Sequence, residues 1–264
     1  MKDQSFKFSH AITRKPGQSV TLGLRSVYRG IPDFNTMSMH HASYVLALKT
    51  AGVLVLELDP LEDYPDSLFV EDTALCLPEG VILMRPGAES RLGEVDQIAP
   101  HLNAFYKDIF SVKGEARIEA GDILATETEI LVGRSERTNK FGILELSRLT
   151  KDWGYQVREV NTPPDILHFK TDCSLLDGNT ILSTPKLART GCFNGYNLIY
   201  TADGEDEAAN TIRVNDYVIM PNGFNKTAGR LKDGGYNVIQ VENSECAKID
   251  GGMSCLSLRF TPNE

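Results

Sequence analysis

Phe69-Val-Glu-Asp72, Glu119-Ala-Gly-Asp122 and Phe169-Lys-Thr-Asp172 place an aspartate at three positions fifty residues apart. Each opens onto the same pattern: an apolar run, a short polar turn, a second apolar run, then Gly or Pro. The runs are residues 73–77 with 81–84, 123–125 with 130–132, and 174–176 with 180–183. A weaker fourth copy is Ala208-Ala-Asn210-Thr-Ile-Arg-Val214, with Tyr217-Val-Ile-Met220 and then Pro221-Asn-Gly223. A fifth falls near the C-terminus, where Asp250-Gly-Gly-Met-Ser-Cys255 leads into Leu256-Ser-Leu-Arg-Phe260. A period of this size marks a supersecondary unit repeated around an axis or along a stack. Equivalent positions of such units converge, so residues remote in sequence can share one site.

Helical spacing recurs around these runs. Residues 33–51 set Met37, His41, Tyr44, Val45 and Leu48 at helical intervals, with Gly52 as the stop. Residues 53–58 then read as a strand ended by Asp59-Pro60. Residues 89–105 and 138–153 predict helices, followed by strands over 109–112 and 155–160; the fourth unit predicts a short helix over 227–231 and a strand over 236–241. The unit is therefore strand, strand, helix, strand, that is, α/β. Residues 187–200 lack a clear helix and read as a modified third unit. No Pro/Gly/Ser-rich linker divides the chain, so a single cooperative domain over 1–264 is expected.

Hydrophobic residues make up 41% and charged residues 24% of the 264 positions, the proportions of a soluble protein with a real core. A net charge of −9 argues against nucleic-acid backbone binding and suits a cationic or neutral small substrate. The five cysteines, Cys76, Cys173, Cys192, Cys246 and Cys255, form no CxxC pair, and residues 1–10 are polar and charged. Both features point to a reduced, cytoplasmic setting. The apolar runs are too short to span a membrane. Neither a phosphate-binding loop nor a GxGxxG fingerprint is present.

The chemistry-bearing groups stand just before or inside the first strand of each unit: Asp66, Glu71 and Asp72; Glu119 and Asp122; His168 and Asp172; Asp250 and Cys255. A thiol, an imidazole and several carboxylates are the inventory for nucleophilic catalysis on a cation. The thiolate attacks, and a nearby imidazolium or cationic substrate favours it. Histidine can protonate a leaving group and then activate water, and a carboxylate beside it fixes its orientation. Each residue also has a plain structural role open to it. Cys255 taken alone is equally a small buried hydrophobe, His168 a structural histidine, and the Asp72, Asp122 and Asp172 series a set of turn caps. His40 and His41 read as surface or packing residues without the spacing of a metal site. Nothing local singles out Arg91 or Arg137, which read as solvated charges.

Six segments together carry a resemblance: Asp66-Ser-Leu-Phe-Val-Glu-Asp72, Arg85-Pro-Gly-Ala-Glu-Ser-Arg91, Glu119-Ala-Gly-Asp122, Arg137-Thr-Asn139, Leu167-His-Phe-Lys170 and Lys248-Ile-Asp-Gly-Gly-Met-Ser-Cys-Leu-Ser257. In this order they resemble the dimethylarginine dimethylaminohydrolases, within the guanidine-modifying superfamily that includes arginine deiminase. The resemblance runs nearly end to end and implies a five-bladed, pseudo-symmetric α/β propeller. It makes Cys255 the nucleophile, His168 the general acid and base, and Glu119 the carboxylate of the triad. It assigns Asp66, Glu71 and Asp72 to the substrate's cationic groups and Arg91 and Arg137 to its α-carboxylate. The backbone of Leu24, in a loop resembling the family's lid, and of Ile249 would add polar contacts. The resemblance implies no metal and no cofactor.

The implied reaction hydrolyses an Nω-methylated arginine to citrulline and an amine through a covalent S-alkylthiouronium on Cys255. No oxyanion forms at the first step, so carboxylates occur where an amidase would place donors. Lys170 stands where arginine deiminases carry an aspartate, which argues against plain arginine as substrate. Phe169 replaces the leucine commoner in the family. Two alternatives stay open: a hydrolase of another small guanidine, such as arginine or agmatine, and a non-catalytic amino-acid-binding protein on the same fold. The expected partner is a small molecule, with no nucleic acid and no membrane, and a homodimer is left open.

Overall fold

The computed structural model describes residues 5–262, so residues 1–4 and 263–264 of the expected domain lie outside the described residues. The chain runs through β1 (His10–Arg14), α1 (Phe34–Thr50) and β2 (Leu54–Leu58). Then come β3 (Ala74–Leu77), β4 (Gly80–Leu83), α2 (Glu94–Leu102) and β5 (Ile109–Ser111), followed by β6 (Ile123–Ala125), β7 (Glu129–Arg134), α3 (Lys140–Thr150) and β8 (Gln156–Asn161). The third repeat is β9 (Cys173–Asp177), β10 (Thr180–Ser183), α4 (Pro185–Ala188) and β11 (Asn197–Tyr200). The fourth is β12 (Ile212–Val214), β13 (Tyr217–Pro221), α5 (Asn225–Asp233) and β14 (Asn237–Val241), after which α6 (Ser244–Ala247) leads to β15 (Leu258–Phe260).

These strands form five three-stranded sheets, ordered β15-β1-β2, β3-β4-β5, β6-β7-β8, β9-β10-β11 and β12-β13-β14. In every sheet the first pair is antiparallel and the second parallel. A hairpin suffices for the first pair, whereas the parallel partner needs a crossover, which the helix supplies. The architecture is the five-bladed α/β propeller that the fifty-residue period and the resemblance led us to expect. The fifth blade joins the two ends of the chain: β15 pairs with β1 in the register His10↔Phe260, Ala11↔Arg259 and Ile12↔Leu258. The sequence reading assigned no strand at residues 10–14. Four consecutive buried residues there leave no alternation of polar and apolar positions to find.

Element ends follow local chemistry. Asp33 Oδ1 accepts the Thr36 N–H at 2.7 Å and starts α1, and Asn139 Oδ1 accepts the Gly142 N–H at 2.9 Å and starts α3. The helix expected over 89–105 is a single 3-10 turn, Glu89–Arg91, followed by the shorter α2. In the third blade α4 has only four residues, and the chain beyond it turns through Gly191 and Gly195, both at positive φ.

The repeated aspartates mainly tie blades together. Asp72 Oδ1 accepts the Gly121 N–H of the next blade at 3.0 Å, and Asp122 Oδ1 accepts the Phe169 N–H of the blade after that at 2.9 Å. Asn210 Oδ1 does the same for Ser254 N–H at 2.9 Å. These amides lie in short 3-10 turns that no strand ladder pairs, so a side chain must satisfy them. Asp172 differs, accepting the Thr184 hydroxyl of its own blade at 2.8 Å.

Candidate active site

The 3-10 turns that precede the blades' first strands pack against one another near the axis. Asp72 lies in the turn Val70–Thr73, Glu119 just before Ala120–Asp122, His168 just before Phe169–Thr171, and Cys255 inside Ser254–Leu256. Equivalent stations of four blades thus bring a carboxylate pair, an imidazole and a thiol together. Leu24, Asp66, Asp72, Arg91, Arg137, His168, Ile249 and Cys255 line one cavity of about 30 Å³.

His168 Nε2 lies 2.6 Å from Glu119 Oε2, and Glu119 is fully buried. The other carboxylate oxygen, Oε1, accepts the Gly87 N–H at 2.8 Å and meets Arg137 NH1 at 3.4 Å. Burial works to raise the Glu119 pKa, but the bond to His168 and the charges of His168, Arg91 and Arg137 prevail and lower it to about 2. For His168, burial works to lower the pKa. The charge of Asp72, the bond to Glu119 and the charge of Asp122 outweigh it and raise the value to about 9. The imidazolium is therefore the resting form near neutral pH.

Gly121 makes this closeness feasible, because a Cβ there would meet Asp72 Oδ1 at 2.7 Å and His168 Nδ1 at 2.8 Å. The Cys255 thiol is pushed up to about 12 by burial first, then by Asp72 and Glu71. The Gly252 N–H, 3.4 Å from Sγ, and the Lys170 charge oppose that rise. The thiol is thus protonated at rest, in a site whose anionic lining favours a bound cation.

Glu71 stands apart from the expected substrate cluster. Its Oε1 is bonded to Lys170 Nζ at 2.7 Å and to Arg259 NH2 at 2.8 Å, and it lines a separate cavity of about 150 Å³ instead. Two cations on one side hold that oxygen, while the buried Oε2 has no hydrogen-bond partner among the described residues. Arg91 lines the site but is no solvated charge. Its Nε and NH2 bond Glu94, NH1 lies 2.6 Å from Asp72 Oδ2, and NH2 also meets the Phe69 carbonyl at 2.8 Å. Nearly all its donors are committed within the fold. Arg137 is less engaged, its side chain 21% exposed and its approach to Glu119 long.

The Leu24 N–H donates to Asp66 Oδ1 at 2.9 Å, and the Ile249 N–H to the Cys246 carbonyl at 3.0 Å. Each residue therefore has its carbonyl left to present. Burial raises the Asp66 pKa. Asp250, which the sequence marked only as a candidate, also lines the cavity and accepts the Ser26 N–H at 2.5 Å. It does so at φ 59, a conformation its position before Gly251-Gly252 did not disclose.

Asp72, Glu119 and His168 present ligand atoms within 4.8 Å of one another, the one such group among the described residues. Their lone pairs already serve Arg91, Gly121, Gly87, Arg137 and each other. A cation there would have to displace two guanidinium contacts.

Residues 35–213 match the family described as arginine deiminase. The N(G),N(G)-dimethylarginine dimethylaminohydrolase of Pseudomonas aeruginosa is 38% identical over 254 residues, covering 96% of this chain and all of that protein. The chain belongs to the dimethylarginine dimethylaminohydrolase family. Its relative of that name in Streptomyces coelicolor is 30% identical, covering 95% of this chain and 96% of that one. Among solved structures, a cysteine-to-serine variant of the Pseudomonas aeruginosa enzyme complexed with citrulline superposes with a TM-score of 0.94 at 38% identity, over 97% of this chain and 100% of that one. Among the described residues no helix is long and apolar enough to cross a membrane.

Proposed function

We propose that this protein is a cysteine-dependent hydrolase that converts asymmetric dimethylarginine and monomethylarginine to citrulline and the corresponding amine. Arg137, with what Arg91 has to spare, receives the α-carboxylate; Asp66 and the Leu24 and Ile249 carbonyls receive the α-ammonium. The guanidinium lies against Asp72. Its positive charge over Cys255 counters the carboxylates that raise the thiol's pKa, so the thiol releases its proton to solvent when substrate binds. The thiolate adds to the guanidinium carbon, forming the C–S bond. His168, protonated at rest, gives its proton to the departing dimethylamine as the C–N bond breaks, leaving an S-alkylthiouronium on Cys255. Neutral His168 then takes a proton from water, whose oxygen adds to the same carbon; the C–S bond breaks with its electron pair going to sulfur, and the hydroxyl proton passes to the thiolate as citrulline leaves. Glu119 keeps the imidazole oriented and cationic.

The observation that supports this most is the 2.6 Å Glu119–His168 contact at a cavity that Cys255 shares with Asp72. The whole chain, residues 1–264, acts in this reading as one catalytic domain. Five free cysteines fit a cytoplasmic setting. The test is citrulline formation by purified protein without added cofactor, from asymmetric dimethylarginine, monomethylarginine, arginine and agmatine. Methylated arginines should be turned over fastest, and Cys255→Ser and His168→Ala should each abolish turnover. Full activity in either variant, or a preference for arginine, would refute the assignment.

A further inference from the structure

The turn that carries Cys255 is held from beneath by side chains that have no place in the reaction above. Arg259 NH1 donates to the carbonyl oxygens of Ser254 (3.1 Å) and Ser257 (2.8 Å) and to Ser257 Oγ (2.7 Å). Tyr44, from the middle of α1, donates its hydroxyl to the Met253 carbonyl at 2.9 Å and lies 2.6 Å from Ser257 Oγ. A phenol has one proton, and a carbonyl can only accept. Since Tyr44 gives its proton to Met253, the Ser257 hydroxyl must be the donor in the 2.6 Å contact. The direction of the chain is thereby fixed: guanidinium to Ser257, Ser257 to Tyr44, Tyr44 to Met253. Such a chain is mutually polarised and stiffer than its separate bonds.

Burial pushes the Tyr44 phenol up to about 12, which keeps it a donor throughout the neutral range. Arg259 is itself fixed by Glu71 Oε1 at 2.8 Å, the same oxygen that holds Lys170. Only Oε1 of this buried carboxylate is so engaged. Three carbonyls around one nucleophile, those of Met253, Ser254 and Ser257, thus take side-chain donors.

We infer that Arg259, Ser257 and Tyr44 are positioning residues that aim Cys255 Sγ at the reacting carbon, with Glu71 as the counter-ion that keeps the Arg259 fork in register. The inference rests on the cysteine-hydrolase reading. A fork with donors in fixed directions can serve three acceptors and a carboxylate at once, which a lysine ammonium cannot. Attack geometry is steeply sensitive, a displacement of about 1 Å costing about a hundredfold in rate.

The experiment measures kcat and KM for asymmetric dimethylarginine in Tyr44→Phe, Ser257→Ala, their double variant and Arg259→Lys. Active sites are counted by stoichiometric alkylation of Cys255, followed by mass spectrometry, and thermal midpoints are recorded alongside. Tyr44→Phe and Ser257→Ala should each lower kcat per active site about tenfold with KM within about twofold, and Arg259→Lys should lower it about a hundredfold. The double variant should fall little below either single one, because both break one chain. A merely structural role would lower the thermal midpoint and the number of active sites while leaving kcat per site unchanged. That result in Tyr44→Phe and Ser257→Ala overturns the inference, and these two decide the matter if Arg259→Lys does not fold. Absence of citrulline from the wild type overturns the functional reading and the inference together; normal wild-type turnover with unaffected variants overturns the inference alone.

Discussion

Replacing Glu119 with glutamine keeps the shape of the site and removes one charge, and its consequence can be worked through. Oε1 of this side chain accepts from Gly87 N–H and Arg137, so an amide must point its oxygen there and its NH2 group at His168. His168 Nε2 would then have to accept, which only the neutral ring can do. In the native protein the surrounding carboxylates raise the histidine from 6.5 to about 9. That is a shift of about 2.5 units, or about 3 kcal/mol in favour of the imidazolium. Asp72 and Asp122 remain in the variant, so roughly half of it should be lost, moving His168 down by about 1–2 units. Donation to the leaving amine requires the imidazolium. Activity should therefore fall as pH rises through about 9 in the wild type, and through about 7–8 in Glu119→Gln, with kcat at pH 8 lowered about twofold to tenfold and more steeply above it. The assay is citrulline formation across pH 6–10 with saturating asymmetric dimethylarginine. An alkaline limb that stays in place, with kcat within twofold of wild type, would refute the argument that this carboxylate keeps the acid protonated.

Two further outcomes follow from buried charge. Arg91→Ala leaves Asp72 and Glu94 buried without their guanidinium and should destabilise the fold by about 3–5 kcal/mol in urea unfolding, whereas Arg137→Ala should barely move stability and should raise KM about tenfold or more. Equal stability losses in the two would be inconsistent with the pairing described. His41, with burial as the main cause, has its pKa lowered to about 4, and its Nε2 has no partner. The unfolded chain therefore takes up a proton below 6.5 that the folded chain refuses until about 4. Stability should fall by about 3 kcal/mol across that window, and urea melts at pH 4.5 and 6.5 should show this slope flattened in His41→Leu. His168 has the opposite sign: its contribution is complete below 6.5 and is lost as pH rises through about 9. An unchanged acid slope in His41→Leu would rule out that histidine as its source.

Much of the propeller was legible because the short strands are written as compact apolar runs, four of them introduced by Asp72, Asp122, Asp172 and Asn210. What the period could not convey is closure. Residues 10–14 are the central strand of the fifth blade, yet their partner β15 begins at residue 258, and no local pattern encodes pairing over such a distance. Blade symmetry likewise put Glu119, His168 and Cys255 among the candidates at one end of the axis, but their roles as a triad came only from the resemblance. Glu71 and Arg91 were placed at the substrate by the resemblance alone. Sequence shows that they are acid and base but not which partner is nearest, and for both the answer is an ion pair closed inside the fold. His41 was taken as a surface or packing residue, and the structure makes it a packing one, 3% exposed.

The carboxylates of this site do two jobs that bear on how substrate and product exchange. The segment over the cavity is fastened by backbone amides given to acids: Gln18 and Ser19 to Glu62, Leu24 to Asp66, Ser26 to Asp250, and Asp33 to Glu245. Two of these acids, Asp66 and Asp250, line the same cavity as Leu24 and Cys255. An α-ammonium arriving at Asp66 replaces a neutral amide by a charged donor, a stronger bond for the one broken. Citrulline keeps that ammonium and the α-carboxylate, so neither Asp66 nor Arg137 can tell it from the substrate. The group that vanishes in the reaction is the guanidinium, which the proposed mechanism sets against Asp72. In the proposed mechanism, discrimination between what must bind and what must leave falls to Asp72, the same carboxylate that ties the first blade to Gly121 in the turn after Glu119. Loss of charge there weakens the hold on the ligand without loosening the blades, because Arg91 and Gly121 keep Asp72 in place whatever the cavity contains.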